Sequence, residues 1–284
     1  MFIIIGIIIV SGCVAGGYVL SHGKLIALWQ PNELIIICGA AFGAFMISNP
    51  LKVHKAVMKN MMIILKGSKY QKALYLELLS LMYDLLNKAR KEGMMSIEAD
   101  IEDAHQSEIF QKYPNVLADH HIVDFIADYL RLMVGGNMNP FELENLMDLE
   151  LQTHHQEALL AANAVTKVAD GLPGFGIVAA VLGIVITMGA LGGPPEVIGH
   201  HVAAALVGTF LGILLAYGFV GPFAIAMEHV VREEGKFYEC VKVCLLATAN
   251  GCAPQVAVEF GRKVMYSSDR PSFSQLEEHV KNQG

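Results

Sequence analysis

Thr209 draws attention because of what surrounds it. It is the one polar side chain in the part of an apolar stretch where Ala204, Gly208, Gly212 and Ala216 recur every four residues. A hydroxyl donates and accepts at once, so it could meet an ion-carrying group brought by another helix. It could equally bond back to the carbonyl one turn earlier. Thr187, in the preceding apolar stretch, is a weaker candidate of the same kind. Cys240 and Cys244 lie one helical turn apart, while Cys13, Cys38 and Cys252 are scattered. A metal or a disulfide is conceivable at the pair. With no CxxC, buried free thiols are expected, above all in a reducing compartment. The pairs His120–His121 (between Asp119 and Asp124), His154–His155 and His200–His201 lack further ligands at fixed spacing, so no metal site is expected. Histidine titrates near neutral pH, but His200–His201 reads foremost as a surface pair. No nucleophile–base pair, metal cluster or phosphate loop is evident, so neither an enzyme nor a bound cofactor is expected.

Whatever positions these residues lies in lipid. Of 284 residues, 54% are hydrophobic and 17% charged, and the mean hydropathy is +0.46. A soluble domain carries more charge. A net charge of −7 argues against a nucleic-acid partner. Four stretches are long enough to cross ~30 Å of hydrocarbon at ~1.5 Å per residue. They are Met1–Leu20, Leu34–Leu51, Gly171–Pro195 and Val197–Met227, the last interrupted only by His200 and His201. The first lacks a basic n-region and a small-residue cleavage site, and so reads as a retained anchor.

Lysine bias sets the expected orientation. Lys52, Lys55, Lys59, Lys66, Lys69 and Lys72 follow the second span with no acid among them, and suit anionic lipid head groups. In the short loops at the other ends Lys24 is the one basic residue, and Glu196 is the one charge between the third and fourth spans. The positive-inside rule then places residues 52–170, and both termini, in the cytoplasm. The expected organisation is a transmembrane hairpin (1–51), a cytoplasmic helical region (52–170), a second hairpin (171–227) and a cytoplasmic tail (228–284). The fold class is an all-α membrane protein with four transmembrane helices.

The region between the hairpins shows helical periodicity. Leu74, Leu78, Leu81, Met82 and Leu85 share one face of a helix that Gly93 stops. Ser96 is placed to cap a short helix starting "IEADIED". Tyr113-Pro114 breaks the pattern, and "VLADHHIVDFIADYLRLMV" resumes it up to Gly135-Gly136. Asn139-Pro140 supplies a cap and a first-turn proline. From there the pattern runs to Asp170 without a strong breaker and feeds the third span, putting Pro173 near the membrane surface. Ser272–Gln275 reads as a capping box.

Inside the spans there is no Asp, Glu, Lys or Arg, with Glu33 just ahead of the second. Such residues mark ion pathways, because keeping them in lipid is costly. If this chain conducts an ion, a partner brings the carboxylate. The ladder of Ala204, Gly208, Gly212 and Ala216, with Gly176, Ala180 and Gly183, lets helices approach closely, within one chain or between chains.

The segments "LPGFGIVAAVLGIV", "VGTFLGILLAYGFVGP", "SKYQKALYLELLSLMYDLL", "FIADYLRLMVGGNMNPFELENLMDLELQTH", "VAVEFGRK" and "RPSFSQLEE" resemble the flagellar stator members of the MotA/TolQ/ExbB proton channel family over nearly the whole chain. The resemblance implies a bacterial inner-membrane protein that forms a pentamer around two single-span MotB-type chains. Each such chain brings a membrane Asp, and ion flow turns the ring against the rotor protein FliG. It implies rotor contact for Arg90 in "NKARKEG" and Glu98 in "SIEADIE", which otherwise read as charges suited to helix ends. It implies coupling of ion passage to movement for Pro173 in "GLPGFG" and Pro222 in "FVGPFA". Each proline removes a backbone donor, making a hinge or a static kink. With Thr209, Ala180 would line the ion path. Sodium-driven relatives tend to carry threonine at the position of Ala180, so the proton is the expected ion and sodium the less expected one. The alternatives are a TolQ/ExbB-type energiser of an envelope process, disfavoured by the long cytoplasmic region and the Arg90/Glu98 match, and a non-conducting membrane scaffold.

Overall fold

The computed structural model describes residues 2–136 and 138–283, and the side chains of all of these except 65, 66 and 280–283. Met1 of the first span, the Lys66 side chain of the lysine run and Gly284 of the tail lie outside the described residues. Among those residues the chain is helical throughout, with no strand. It divides into two compact units, Met1–Gly67 with Glu157–Val230, and Ser68–Gln156 with Val231–Gly284. Four helical stretches are long and apolar enough to cross a membrane: Phe2–Leu20, Leu25–Ser48, Pro140–Gly189 and Pro195–Ala249.

The first unit holds α1 (Phe2–Leu20), α2 (Pro31–Ser48) and α3 (Leu51–Lys66), together with parts of α9 (Pro140–Gly189) and α11 (Gly221–Ala249) and all of α10 (Pro195–Ile213). α1 buries no side chain, and Phe2, Ile8 and Leu20 are exposed. A helix apolar on every side suits lipid as its solvent. α2 starts three residues before the apolar run does, because Pro31 takes the first helical position, where its missing N–H is no loss. Pro50 separates α2 from α3, and the Asn49 side chain closes the end of α2 by donating to the Phe45 carbonyl at 2.9 Å. α3 is amphipathic. Val53, Val57 and Ile64 pack with Ala161, Ala162, Val165, Ala224 and Met227, while Lys52, Lys55 and Lys59 stay exposed. The third span ends at Gly189, short of the expected Pro195, and a turn leads to α10.

The second unit has its own core. α4 (Lys72–Glu92) buries Leu74, Leu78, Leu81, Met82 and Leu85, the face its periodicity predicts, and adds Tyr75, Leu79 and Leu86. Each such leucine removed from water is worth about 2 kcal/mol. Gly93, at φ +92°, stops the helix in a conformation that side chains disfavour. A 3₁₀ turn, Met94–Ile97, leads into α5 (Glu98–Glu102). Ser96 is not the cap of α5. Its hydroxyl donates to the Gly93 carbonyl at 2.7 Å inside that turn, and the cap position falls to Ile97. α6 (Glu108–Gln111) is capped by Ser107, and α7 (Pro114–Leu117) starts on its proline. The following amphipathic run begins at α8 (His120–Gly135), four residues later than its pattern suggests, because Val116 and Leu117 belong to α7. Gly136, in the left-handed region, ends α8.

Asn139 Oδ1 accepts from the N–H groups of Phe141 and Glu142, and Glu142 accepts from the Asn139 N–H, so α9 opens with a reciprocal cap. Tyr113 and Tyr129 bury their rings and donate to Asp84 and Glu150 at 2.9 and 2.6 Å. Burial, with these carboxylates alongside, pushes both phenols well above their usual range. α12 (Pro254–Val264) brings Gly261 against Cys240 and Cys244, where a Cβ would lie 2.5 Å from the Cys244 sulfur. The two thiols are free and buried, and burial raises that of Cys240. Arg262 holds Glu259 through two hydrogen bonds of 2.7 and 2.6 Å and donates to the Pro271 carbonyl. Ser272 and Gln275 form the reciprocal cap ahead of α13 (Phe273–Gln283).

Candidate functional site

The first unit is built around the seam between α9 and α10. A Cβ on Gly212 would fall 2.7 Å from the Leu172 carbonyl oxygen and 2.9 Å from the Gly176 Cα. One on Gly176 would meet the Gly208 oxygen at 3.0 Å, and one on Gly183 the Ala205 Cβ at 2.9 Å. These neighbours are mostly backbone, so glycine is what permits the approach. The small-residue ladder is therefore used within this one chain: Ala204, Gly208, Gly212 and Ala216 are all buried in it.

Thr209 stands on this seam, its Cα 3.4 Å from where a Gly176 Cβ would be. Thr153, Thr166, Thr187 and Thr248 each donate to the carbonyl four residues earlier. Thr209 does not. Its hydroxyl is half-buried and forms no hydrogen bond among the described residues. Thr187 is buried, with its hydroxyl occupied at 2.8 Å by the Gly183 carbonyl, and so has less to offer a ligand. Ala180, half-buried, has its backbone nitrogen 3.6 Å from a Cβ built on Gly208 and brings no side-chain oxygen.

Below Thr209 the helix changes its winding. Leu214–Val220 is a π-helical segment, closed by the Gly221 N–H donating to the Ala216 carbonyl five residues back. Pro222 follows at once. A proline has no N–H to give and its ring excludes the carbonyl one turn earlier, so a widened turn ahead of it relieves both demands. Gly221 is needed there, since a Cβ would sit 2.9 Å from the Ala216 oxygen. Pro173 lies inside α9 without ending it. The residue one turn before it, Ala169, is the side chain that a Gly221 Cβ would touch at 3.9 Å. The two prolines thus weaken neighbouring helices at facing positions.

A carboxyl also lies in this unit. Glu33 sits in the first turn of α2, and a Cβ on Gly208 would be 3.4 Å from its Cγ. This corrects the expectation that the packed spans hold no ionisable side chain. The apolar run starts at Leu34, but the helix that carries it starts earlier, and its first turn packs against the interior of α10.

Residues 4–93 match the model of the motility protein A N-terminal region, and residues 118–239 that of the MotA/TolQ/ExbB proton channel family. Motility protein A of Escherichia coli (strain K12) is 51% identical over 281 residues, covering 99% of this chain and 95% of that one. The chain belongs to the motility protein A family. The flagellar MotAB stator complex from Bacillus subtilis superposes with a TM-score of 0.74 at 26% identity, covering 97% of this chain and 98% of that chain. For C. jejuni MotAB the TM-score is 0.78 at 18% identity, covering 95% of this chain and 98% of that chain, a likeness of fold.

Motility protein A membership directs attention to the second unit, where Arg90 and Glu98 are both exposed. Neither fills the core; Ala89, Ile97 and Ile101 beside them do. The stretch is held by Asp100, which is 7% exposed. Its carboxylate accepts from Lys88 at 2.8 Å and from the Ser107 hydroxyl at 2.6 Å. Asp100 so fixes α5 to the end of α4 and sets where the two exposed charges stand. Asp100, Gly221 and Glu33 escaped the sequence reading. A charge inside "IEADIED" looks solvated, a glycine before proline looks like a simple breaker, and a glutamate ahead of an apolar run looks like its boundary. The spacing of Glu33 from Pro31 was the available signal, since a first-turn proline extends the helix over both.

Proposed function

We propose that this chain is the stator subunit of a flagellar motor, working with a single-span MotB-type partner to conduct protons and turn their flow into torque. The observation that carries the reading is Thr209, whose hydroxyl is unoccupied on a seam of apolar helices, in a chain belonging to a proton channel family. The partner supplies the membrane Asp. The Thr209 hydroxyl accepts from that carboxyl when it is protonated and donates to it when it is not. Ala180 adds no oxygen to the path, which suits a proton better than sodium. Sodium needs several oxygens to replace its water, whereas a proton needs one carboxylate and a hydrogen-bonded route.

The assembly is a pentamer around two partner chains in the bacterial inner membrane. Residues 52–170 and both termini face the cytoplasm, as the lysine run of α3 favours. Pro173 and Pro222 are the hinges: at facing positions each leaves a carbonyl without its helical donor, so the two helices can bend there together. Arg90 and Glu98 meet complementary charges on the rotor protein FliG, held outward by the Lys88–Asp100–Ser107 network.

The test is expression with the cognate partner in a stator-null cell. Restored swimming, and proton uptake by membranes that needs both chains, is the expected result. Expression of both proteins in the membrane with neither swimming nor uptake would contradict the reading.

A further inference from the structure

The contact between α2 and α10 contains an ionisable group that the path through Thr209 leaves unused. Glu33 Oε2 is out of reach of water and accepts no hydrogen bond. A glutamate in a helix's first turn is ordinarily favoured by the dipole while its carboxylate stays solvated. Here one oxygen of a half-buried side chain has been taken out of water, and the Glu33 Cγ lies 3.4 Å from where a Gly208 Cβ would be, a place bordered also by Ala179 and Ala180; none of the three brings a side-chain donor. A carboxylate oxygen taken out of water with no donor beside it is costly, and a bound proton or cation relieves that cost.

The elements packed here offer few other charges. On α2 the one other titratable group is Cys38, which is exposed. α9 has none between Asp170 and Gly189. α10 carries Glu196, His200 and His201, all nearer its start than Gly208, and Tyr217 follows in the π segment. Lys24 flanks the 3₁₀ turn Leu25–Leu28, which also packs on α10. Glu33 forms no ion pair or hydrogen bond with any of these among the described residues. Gly208 and Thr209 are consecutive, so the carboxyl and the free hydroxyl occupy one level of α10 on adjacent faces.

We infer that Glu33 is a second proton-binding carboxyl of the ion path. It takes up a proton from the outer side at its buried oxygen, and the carboxylate re-forms when that proton moves on. The inference rests on the reading of the chain as a proton-conducting stator subunit. The partner's Asp is then the second protonatable group a proton meets, and this chain is more than the wall of the channel.

Two measurements test it. Membranes containing the full complex are treated with dicyclohexylcarbodiimide, which adds to protonated carboxyls in apolar surroundings, and the peptide bearing Glu33 is weighed. The expected result is an adduct at Glu33, absent in E33Q and unaffected when sodium replaces potassium. Labelling elsewhere in the complex but not at Glu33, or protection by sodium, would overturn the inference. Separately, rotation speed is followed while the outer medium goes from about pH 6 to about pH 8. E33Q should turn at least about fivefold slower at the alkaline end, the factor for a step of about 1 kcal/mol, while E33D keeps most of the wild-type speed. E33Q matching the wild type at every outer pH would also overturn it. If the wild-type complex drives no rotation, the stator reading fails by itself, and the labelling still judges Glu33.

Discussion

At Thr209 the telling feature is a bond that is not made. Four other threonines return their hydroxyls to their own helices, and this one keeps its capacity free. Thr209→Ser should therefore retain most of the motor's speed at low load. Thr209→Val, which keeps the shape, should lose about fivefold, as one hydrogen bond of about 1 kcal/mol would give. Bead rotation at low load measures both, and a valine variant as fast as wild type would remove Thr209 from the path. Residue type and spacing single out this threonine in the sequence. The free hydroxyl is a matter of rotamer and packing, which spacing does not encode. At Arg90 the expected signature is charge: Arg90→Glu should impair swimming more than Arg90→Ala, and a charge reversal on the rotor should restore part of the loss. Normal swimming by Arg90→Glu at normal expression would exclude the rotor contact. Away from the path, Glu259 is held by Arg262, and that hydrogen bond lowers its carboxyl below the usual range. The pair stabilises the fold above the ordinary carboxylate pKa of about 4, and the contribution fades as pH falls through the lowered value. Glu259→Gln should cost about 1–3 kcal/mol near neutrality, because Arg262 is left with one buried carbonyl partner. In thermal melts the difference from wild type should shrink on acidification; a constant gap would contradict the pairing.

Among the helices, the π segment and the two prolines are the parts of the proposed hinge. Pro173→Ala and Pro222→Ala restore a backbone donor to α9 and α11 without removing packed volume from a core. Membrane insertion and assembly should survive, and stall torque should fall. Loss of the assembled complex from detergent extracts would instead make the prolines static kinks. Gly212→Ala tests the seam itself. Its Cβ would meet backbone at 2.7 and 2.9 Å, so the helices must part at a cost of about 1–3 kcal/mol, visible as an earlier thermal aggregation of the purified complex. Most element positions could be read from the sequence, for physical reasons. Lipid demands long uninterrupted apolar runs, and the Gly93 and Gly136 stops and the Asn139 cap have strong local chemistry. The π segment could not be read, because one extra residue per turn leaves no trace in a stretch apolar on all sides. The start of α2 is not marked by charge: Glu33 bounds the apolar run, while the helix begins at Pro31. The Ser96 hydroxyl satisfies a carbonyl inside a 3₁₀ turn, which periodicity does not reveal.

For the molecule as a whole, each of the two units has its own core, and their bounds differ from the expected region 52–170, since α3 and residues 157–170 group with the apolar spans. What a single chain does not contain is its engine: the proposed carboxyl acceptor belongs to the partner, and torque requires the ring and the rotor. The identity of the ion decides whether the spare oxygens on the seam suffice. On the proposed path, a free Thr209 hydroxyl and an Ala180 without an oxygen suit a proton, which needs one carboxylate and a hydrogen-bonded route, better than sodium, which needs several oxygens to replace its water. The deciding experiment tethers stator-null cells carrying this chain and its cognate partner, and follows rotation speed at fixed membrane potential while sodium is replaced by potassium. Speed that persists without sodium and falls on addition of a protonophore is the predicted result. Rotation that stops when sodium is withdrawn and recovers when it is returned would contradict it.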